Sequence, residues 1–347
     1  MELRIQGRAV GPQHPPFVVA ELSGNHNGSL DRAVALIEAA KNAGADAVKL
    51  QTYTPDTITI DHTSPEFRIS GGLWDGRTLY DLYREAHTPW DWHPTMFNRA
   101  RELGLIIFSS PFDSTAVDFL ETLDCPAYKI ASFEIVDLPL IRQAARTRKP
   151  LIMSTGMANL GEVQEAVTAA LEAGCEDLVL LHCISSYPTP SEDTNLRTMP
   201  HLGEAFGVPI GLSDHTSGTA VSVAAIALGA CVIEKHITLA RSDGGADALF
   251  SLEPSEFRSL VQDCRTAHSA LGRIHYDAMA CEAENAIFRR SLYFVSDVAE
   301  GELIRPAHVR SIRPGHGLPP KLYDNVLGRR ARSSIARGTP VSWELIL

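Results

Sequence analysis

The sequence predicts a (β/α)8 barrel, the TIM-barrel class of α/β fold, followed by a small β-rich domain. Three observations predict it. Eight short β-rich runs recur between residues 17 and 235, separated by segments whose apolar residues fall at helical spacing. The runs are solidly apolar rather than alternating, as parallel strands covered on both faces must be. Polar groups gather at one end of every run, as on the catalytic face of such a barrel. A doubly wound sheet is the structural alternative, but no Gly-x-Gly-x-x-Gly follows the first run.

The elements follow in order. Run 17–20 ends in Glu21, with Asn25 and His26 beyond it, and a helix is expected over 31–42, stopped at Gly44. Run 47–50 carries Lys49 and Gln51 at its end. A long excursion over 52–92 then breaks the rhythm. It contains Gly71-Gly72-Leu73-Trp74-Asp75-Gly76 and reads as an insert shaping a pocket on the catalytic face. Run 105–108 leads to Ser109, Ser110 and Phe112, and run 127–131 supplies Lys129, Ser132 and Glu134. Run 151–154 ends in Ser154 and Thr155 before a helix over 161–172; run 178–182 ends in His182, then Ser185 and Tyr187. Run 209–212 leads to Ser213, Asp214 and His215 before a helix over 217–228. Run 231–235 holds Glu234, with His236 next and a helix over 256–271. Gly104, Gly174 and Gly229 mark further helix stops. The catalytic domain is therefore placed at 1–272, a polar linker at 273–289 and the β-rich domain at 290–347.

Composition narrows the function. The 347 residues hold 42 acidic and 31 basic side chains, a net charge of −11, which argues against a nucleic-acid partner. No apolar stretch is long enough for a transmembrane helix, and the N-terminus lacks a signal-peptide layout. The six cysteines form no Cys-x-x-Cys pair and read as reduced thiols, so a cytoplasmic location is expected.

His215 and His236 end adjacent strands, where two neutral imidazoles can meet one divalent ion; Asp214 and Glu234 beside them are candidate orienters of the rings. Lys49 and Lys129 at the mouth can bind an anion or form a Schiff base; Ser110, Ser132, Ser154 and Ser213 nearby favour an anion. Glu134 is the general acid/base candidate. No Gly-x-Ser-x-Gly elbow supports a serine nucleophile. The residues thus point to a metal-dependent enzyme acting on an anionic, phosphorylated small molecule.

The motifs carry a resemblance. Ala20-Glu21-Leu22-Ser23-Gly24-Asn25-His26-Asn27-Gly28-Ser29, Lys49-Leu50-Gln51-Thr52, Tyr128-Lys129-Ile130-Ala131-Ser132 and Ser154-Thr155-Gly156-Met157 resemble motifs of the sialic acid synthase family. So do Tyr187-Pro188-Thr189, Gly211-Leu212-Ser213-Asp214-His215 and Glu234-Lys235-His236. The tail, with Arg313-Pro314-Gly315-His316-Gly317-Leu318, looks like that family's antifreeze-like (SAF) domain. The details around Gln51–Asp56, Gly71–Asp75, Phe108–Phe112 and Ser291–Tyr293 look most like the pseudaminic branch, and Ser185 replaces the asparagine typical of the N-acetylneuraminate branch.

The resemblance implies condensation of phosphoenolpyruvate with an amino-sugar aldehyde, 2,4-diacetamido-2,4,6-trideoxy-L-altrose, with phosphate leaving by C–O cleavage. N-acetylmannosamine or the legionaminic precursor is the alternative acceptor. It implies Mn²⁺ or Mg²⁺ at His215 and His236. Lys49, Lys129, Ser110, Ser132, Ser154, Ser185 and Ser213 would bind phosphoenolpyruvate. Gln51, Phe112, Tyr187, Asp247 and Arg313 would form the sugar site. Glu134, Glu21 and Lys49 would be the catalytic groups. It further implies a homodimer that exchanges its C-terminal domains, so that Arg313 serves the partner's site.

Overall fold

The computed structural model describes residues 2–347, which divide into two compact units meeting at Gly272 and Arg273. A hairpin of β1 (Leu3–Ile5) and β2 (Arg8–Val10) opens the first unit. It was not among the expected elements: its strands have three residues each, and its turn at Gln6-Gly7, with φ of 46° and 82°, gives little sequence signal.

The first unit is a closed parallel barrel of eight strands. These are β3 (Phe17–Glu21), β4 (Ala47–Thr52), β5 (Ile106–Pro111), β6 (Tyr128–Ile130), β7 (Leu151–Ser154), β8 (Leu178–Cys183), β9 (Ile210–Asp214) and β10 (Val232–His236). β10 pairs with β3 in register His236↔Glu21 and closes the ring. Around it run α1 (Leu30–Ala43), then α2 (Pro55–Ile58) and α3 (Leu79–Ala86) inside the insert, α4 (His93–Glu102), α5 (Ser114–Glu121), α6 (Leu138–Arg146), α7 (Leu160–Glu172), α8 (Thr198–Phe206), α9 (Ala220–Ala227) and α10 (Pro254–Leu271).

Several strands run past their expected ends: β3 includes Glu21, β4 reaches Thr52, β9 reaches Asp214 and β10 includes His236. The polar groups at those ends therefore stand on the sheet itself, where ladder hydrogen bonds fix their direction. The helix expected over 217–228 begins only at Ala220, because Gly218 at φ 74° breaks the helical path. Gly44 caps α1 at φ 89°, its N–H donating to Ala40 and Lys41. In β9 no side chain fits at Gly211: a Cβ there would lie 2.6 Å from Leu181 Cδ2 and closer still to the Val232 carbonyl. Phe17, Val18, Val19, Val48, Phe108, Ile130, Leu180 and Ile233 help fill the barrel core, each at most 2% exposed.

The second unit pairs β11 (Ser291–Phe294) with β12 (Val309–Ile312) and carries the short α11 (Tyr323–Val326). Its own core holds ten buried residues, among them Leu292, Phe294, Val309 and Ile346. No helix among the described residues is long and apolar enough to cross a membrane.

Candidate active site

At the C-terminal mouth of the barrel, four buried charges from four strands meet. Lys49 on β4 lies 2.5 Å from Glu21 Oε2 on β3 and 3.7 Å from Glu234 Oε1 on β10. Lys129 on β6 lies 3.2 Å from the same Glu234 oxygen. Ser213 on β9 donates to that oxygen at 3.1 Å, and Lys49 donates to Ser110 on β5 at 3.2 Å. None of the four charged residues is more than 4% exposed. Burial raises the Glu21 carboxyl despite Lys49 beside it. For Glu234, burial is outweighed by Lys129 and Lys49, which hold it below the usual carboxylate range. For Lys49, burial is outweighed by Glu21 and Glu234, so its ammonium persists. That favours anion binding over a Schiff base, since only a neutral amine is nucleophilic. Lys129 is lowered by burial against the opposing pull of Glu234.

A polar chain runs from this cluster to the imidazoles. Gln51 donates to Glu21 Oε1 at 2.9 Å and to Ser23 Oγ at 3.0 Å, and Ser23 donates to Asp247. Asp247 Oδ2 stands 3.8 Å from His236 Nδ1. Burial pushes the Asp247 carboxyl up to about 6, against the Ser23 hydrogen bond. The His215 and His236 rings lie 5.4 Å apart. His215 Nδ1–H donates to the Ile184 carbonyl at 3.1 Å, which leaves its Nε2 lone pair free. Burial, reinforced by His215, drives His236 well below the ordinary histidine range, and its Nδ1 is buried without a hydrogen-bond partner. For His215 burial is outweighed by Cys183 beside it, which raises the ring above the ordinary histidine range. With Nε2 of His215 and Nδ1 of His236 deprotonated, the two imidazoles fit a divalent cation. Among the described residues no third His, Cys, Asp or Glu converges with them, so such an ion would keep positions for water and substrate oxygen.

The expected orienters are elsewhere engaged. Asp214 accepts from Lys235 Nζ at 2.8 Å and from Thr216 and Ser222, and Glu234 serves the lysines. Neither hydrogen-bonds an imidazole. Asp214 is one residue from His215 on its strand, so its side chain leaves by the opposite face; Glu234 shares a face with His236 but is turned to the lysines.

A third group surrounds Gly156. Ser132 Oγ accepts from the Gly156 N–H at 3.1 Å, and both Ser132 and Ser185 stand where a Gly156 side chain would be. The Ser154 hydroxyl is buried and unpartnered. Glu134 ends a short 3-10 turn (Ser132–Glu134) that aims one buried, unpartnered carboxylate oxygen inward; burial pushes this carboxyl up to about 7. Phe112 packs edge-on to Tyr53 at 5.2 Å, and Tyr187 lies 4.5 Å from His215. Arg313, exposed beside β12, belongs to the second unit.

Some polar strand ends serve the scaffold instead. His182 donates to the Thr194 carbonyl at 2.6 Å. Asn25 donates to the Ile237 carbonyl and to Ser251. His26 Nδ1 accepts from the Gly28 N–H at 3.1 Å. Sequence reasoning missed Ser23 and Cys183 as members of the site. Ser23 had a usable signal, its place two residues beyond Glu21. Cys183, 3.8 Å from His215, ends a strand that reads as plain apolar.

Residues 36–276 match the NeuB family, and residues 289–347 match the SAF domain. The chain belongs to the NeuB family. A pseudaminic acid synthase of Helicobacter pylori is 46% identical over 332 residues, 94% of this chain and 97% of its own length. An N,N'-diacetyllegionaminic acid synthase of Legionella pneumophila is 36% identical, over 95% of this chain and 94% of its own. Among solved structures, the N-acetylneuraminic acid synthetase of Leptospira borgpetersenii in complex with citrate superposes with a TM-score of 0.73 at 30% identity, covering 82% of this chain and 95% of its own. This NeuB-family chain is thus a transferase-type enzyme, a phosphoenolpyruvate-utilising nonulosonic acid synthase with a TIM barrel and a C-terminal SAF domain.

Proposed function

We propose that the protein condenses phosphoenolpyruvate with 2,4-diacetamido-2,4,6-trideoxy-L-altrose and water to give pseudaminic acid and phosphate, with a divalent cation, Mn²⁺ or Mg²⁺, at His215 and His236. The observation that carries this reading is the buried pair Lys49–Lys129, joined in one network with Glu21, Glu234 and the Ser110 and Ser213 hydroxyls and placed near the imidazole of His236. The greater likeness to a pseudaminic than to a legionaminic acid synthase supports the acceptor.

Lys49, Lys129 and the hydroxyls of Ser110, Ser132, Ser154, Ser185 and Ser213 hold the phosphate and carboxylate of phosphoenolpyruvate through charge-assisted hydrogen bonds. Gln51, Tyr187, Asp247 and Phe112 hold the sugar, its aldehyde toward the imidazoles. A cation bound there supplies Lewis acidity to the aldehyde oxygen. The C2=C3 π pair of phosphoenolpyruvate forms the bond from carbon 3 to the aldehyde carbon, whose oxygen takes up a proton, and carbon 2 is left electron-poor. Water adds at carbon 2 and gives one proton to Glu134, which replaces the proton taken by the aldehyde oxygen. The C2–O bond to phosphate then breaks, phosphate leaves with its electron pair, and the C2 hydroxyl becomes the ketone carbonyl as its proton passes to the departing phosphate. Glu21 keeps Lys49 charged and in place. The free thiols support a reducing, cytoplasmic setting. The small core of the second unit supports its use as an exchanged domain in a homodimer, with Arg313 reaching the partner's sugar.

The test incubates the purified protein with phosphoenolpyruvate and separate acceptors, with Mn²⁺ present or chelated, following phosphate release and product mass. Metal-dependent turnover of the 6-deoxy L-altrose alone is expected. Preference for N-acetylmannosamine or the legionaminic precursor overturns the acceptor; no phosphate release overturns the condensation.

A further inference from the structure

The insert after β4 crosses the mouth of the barrel and latches onto the loop after β10. Trp74 Nε1 donates to the Ala246 carbonyl at 3.1 Å, one residue from Asp247. Its ring lies 5.8 Å from Tyr187, which is 5.2 Å from Phe250, which is 4.9 Å from His236. Three aromatic rings thus step from the insert tip down to the imidazoles. Gly71, Gly72 and Gly76, with φ of 80°, 74° and 80°, flank Trp74 and give the tip its path. Beside the latch lies a cavity of about 230 Å³ whose lining includes Gly24, Asn27, Glu85 and Ala246, next in sequence to Ser23 and Asp247.

We propose that Trp74 is a specificity-determining residue: it roofs the acceptor side of the site and selects amino sugars presenting a deoxy methyl or N-acyl methyl group to that surface. The inference rests on the reading of an amino-sugar acceptor above. The only polar atom of the indole is spent on Ala246, so the roof offers a ligand an apolar face and no donor. A sugar hydroxyl pressed there loses its water without replacement, whereas a methyl group gains contact.

The test uses the full-length protein with Trp74→Ala and Trp74→Phe, reading acceptor KM, phosphoenolpyruvate KM and the kcat/KM ratio between the 6-deoxy diacetamido acceptor and N-acetylmannosamine. Trp74→Ala should lower kcat/KM for the 6-deoxy acceptor about tenfold or more, the scale of a lost apolar contact in a pocket. It should shrink the ratio and leave the phosphoenolpyruvate KM within about twofold. Trp74→Phe, which keeps a ring but loses the latch, should retain most of the ratio. An unchanged ratio, or an equal rise in both KM values, overturns the proposal. A readout independent of turnover is the fluorescence change on titrating the 6-deoxy sugar, compared between the wild type and Trp74→Phe. Wild-type turnover of another acceptor alone refutes the acceptor reading. Absence of a Trp74-dependent fluorescence change refutes the roof.

Discussion

Gly156→Ala probes the proposed phosphate cradle with one methyl group. The φ of Gly156 is not in the left-handed region, so the backbone accepts alanine without strain. Its Cβ, however, would lie 2.7 Å from Ser132 Oγ, 3.0 Å from Ser132 Cβ and closer still to Ser185 Oγ. Contacts under about 3 Å cannot persist, so both hydroxyls must swing away. A hydrogen bond to a charged group contributes about 1.5–3 kcal/mol, and each 1.4 kcal/mol is about tenfold in affinity. Loss of one such bond should raise the phosphoenolpyruvate KM about 10-fold, and loss of both about 100-fold or more. The acceptor KM should change less, because Gln51 and Asp247 bond to Glu21 and Ser23 rather than to Ser132 or Ser185. The assay is steady-state phosphate release with each substrate varied in turn. Gly211→Ala is the control: its Cβ would meet Leu181 and Val232 in the barrel wall, an overpacking cost of about 1–3 kcal/mol that lowers the melting temperature without selecting one substrate. A folded Gly156→Ala protein with an unchanged phosphoenolpyruvate KM would refute the placement of phosphate at Ser132 and Ser185.

Five further outcomes are expected. Glu134 must be ionised to accept a proton, so kcat should rise with pH through about 7; Glu134→Gln should flatten that limb and lower kcat about 10²–10⁴-fold, read in a pH–rate profile. Its folded value lies above its unfolded one, so stability should fall as pH climbs from about 4.5 to about 7, and Glu134→Gln should remove that slope in denaturant titrations. Lys235→Met leaves Asp214 buried without its 2.8 Å partner and should cost about 3–5 kcal/mol of stability by chemical denaturation. Chelation should abolish phosphate release, Mn²⁺ should restore it, and His236→Ala should lose Mn²⁺ binding by calorimetry. Lys129→Met should raise the phosphoenolpyruvate KM by more than Ser110→Ala does.

The barrel was legible because parallel strands buried on both faces leave an apolar signature, and because Gly44, Gly104, Gly174 and Gly229 all take the positive φ that ends a helix. The strand ends were placed short for a physical reason. Glu21, Asp214 and His236 are polar, yet their backbones stay in the ladder; buried lysines partner the two carboxylates, while His236 Nδ1 stays buried without a hydrogen bond. Which polar end faces inward was not read from the sequence, although the period of two along a strand carries it. That period sends Lys49, Glu234 and His236 into the mouth and Asp214 and Lys235 out behind it. The pairing of Glu234 with Lys129 spans 105 residues of chain, and the Trp74–Ala246 latch spans 172, so neither leaves a local trace.

The four-charge cluster also ranks its own lysines. An ammonium has three donors. Lys49 has Glu21 at 2.5 Å, Ser110 at 3.2 Å and Glu234 at 3.7 Å, so protein oxygens already surround it. Among the described residues Lys129 hydrogen-bonds Glu234 alone. Burial lowers its ammonium, so an arriving anion that restores the missing partners gains more at Lys129 than at Lys49. Glu21 and Glu234 keep the pair neutralised beforehand; without them, two like charges would sit buried in one barrel mouth. In the proposed reaction Lys129 would therefore be the anchor for the phosphate or carboxylate of phosphoenolpyruvate. Lys49, held by Glu21 and through Glu21 and Gln51 linked to Ser23 and Asp247, would join that anion site to the proposed sugar side.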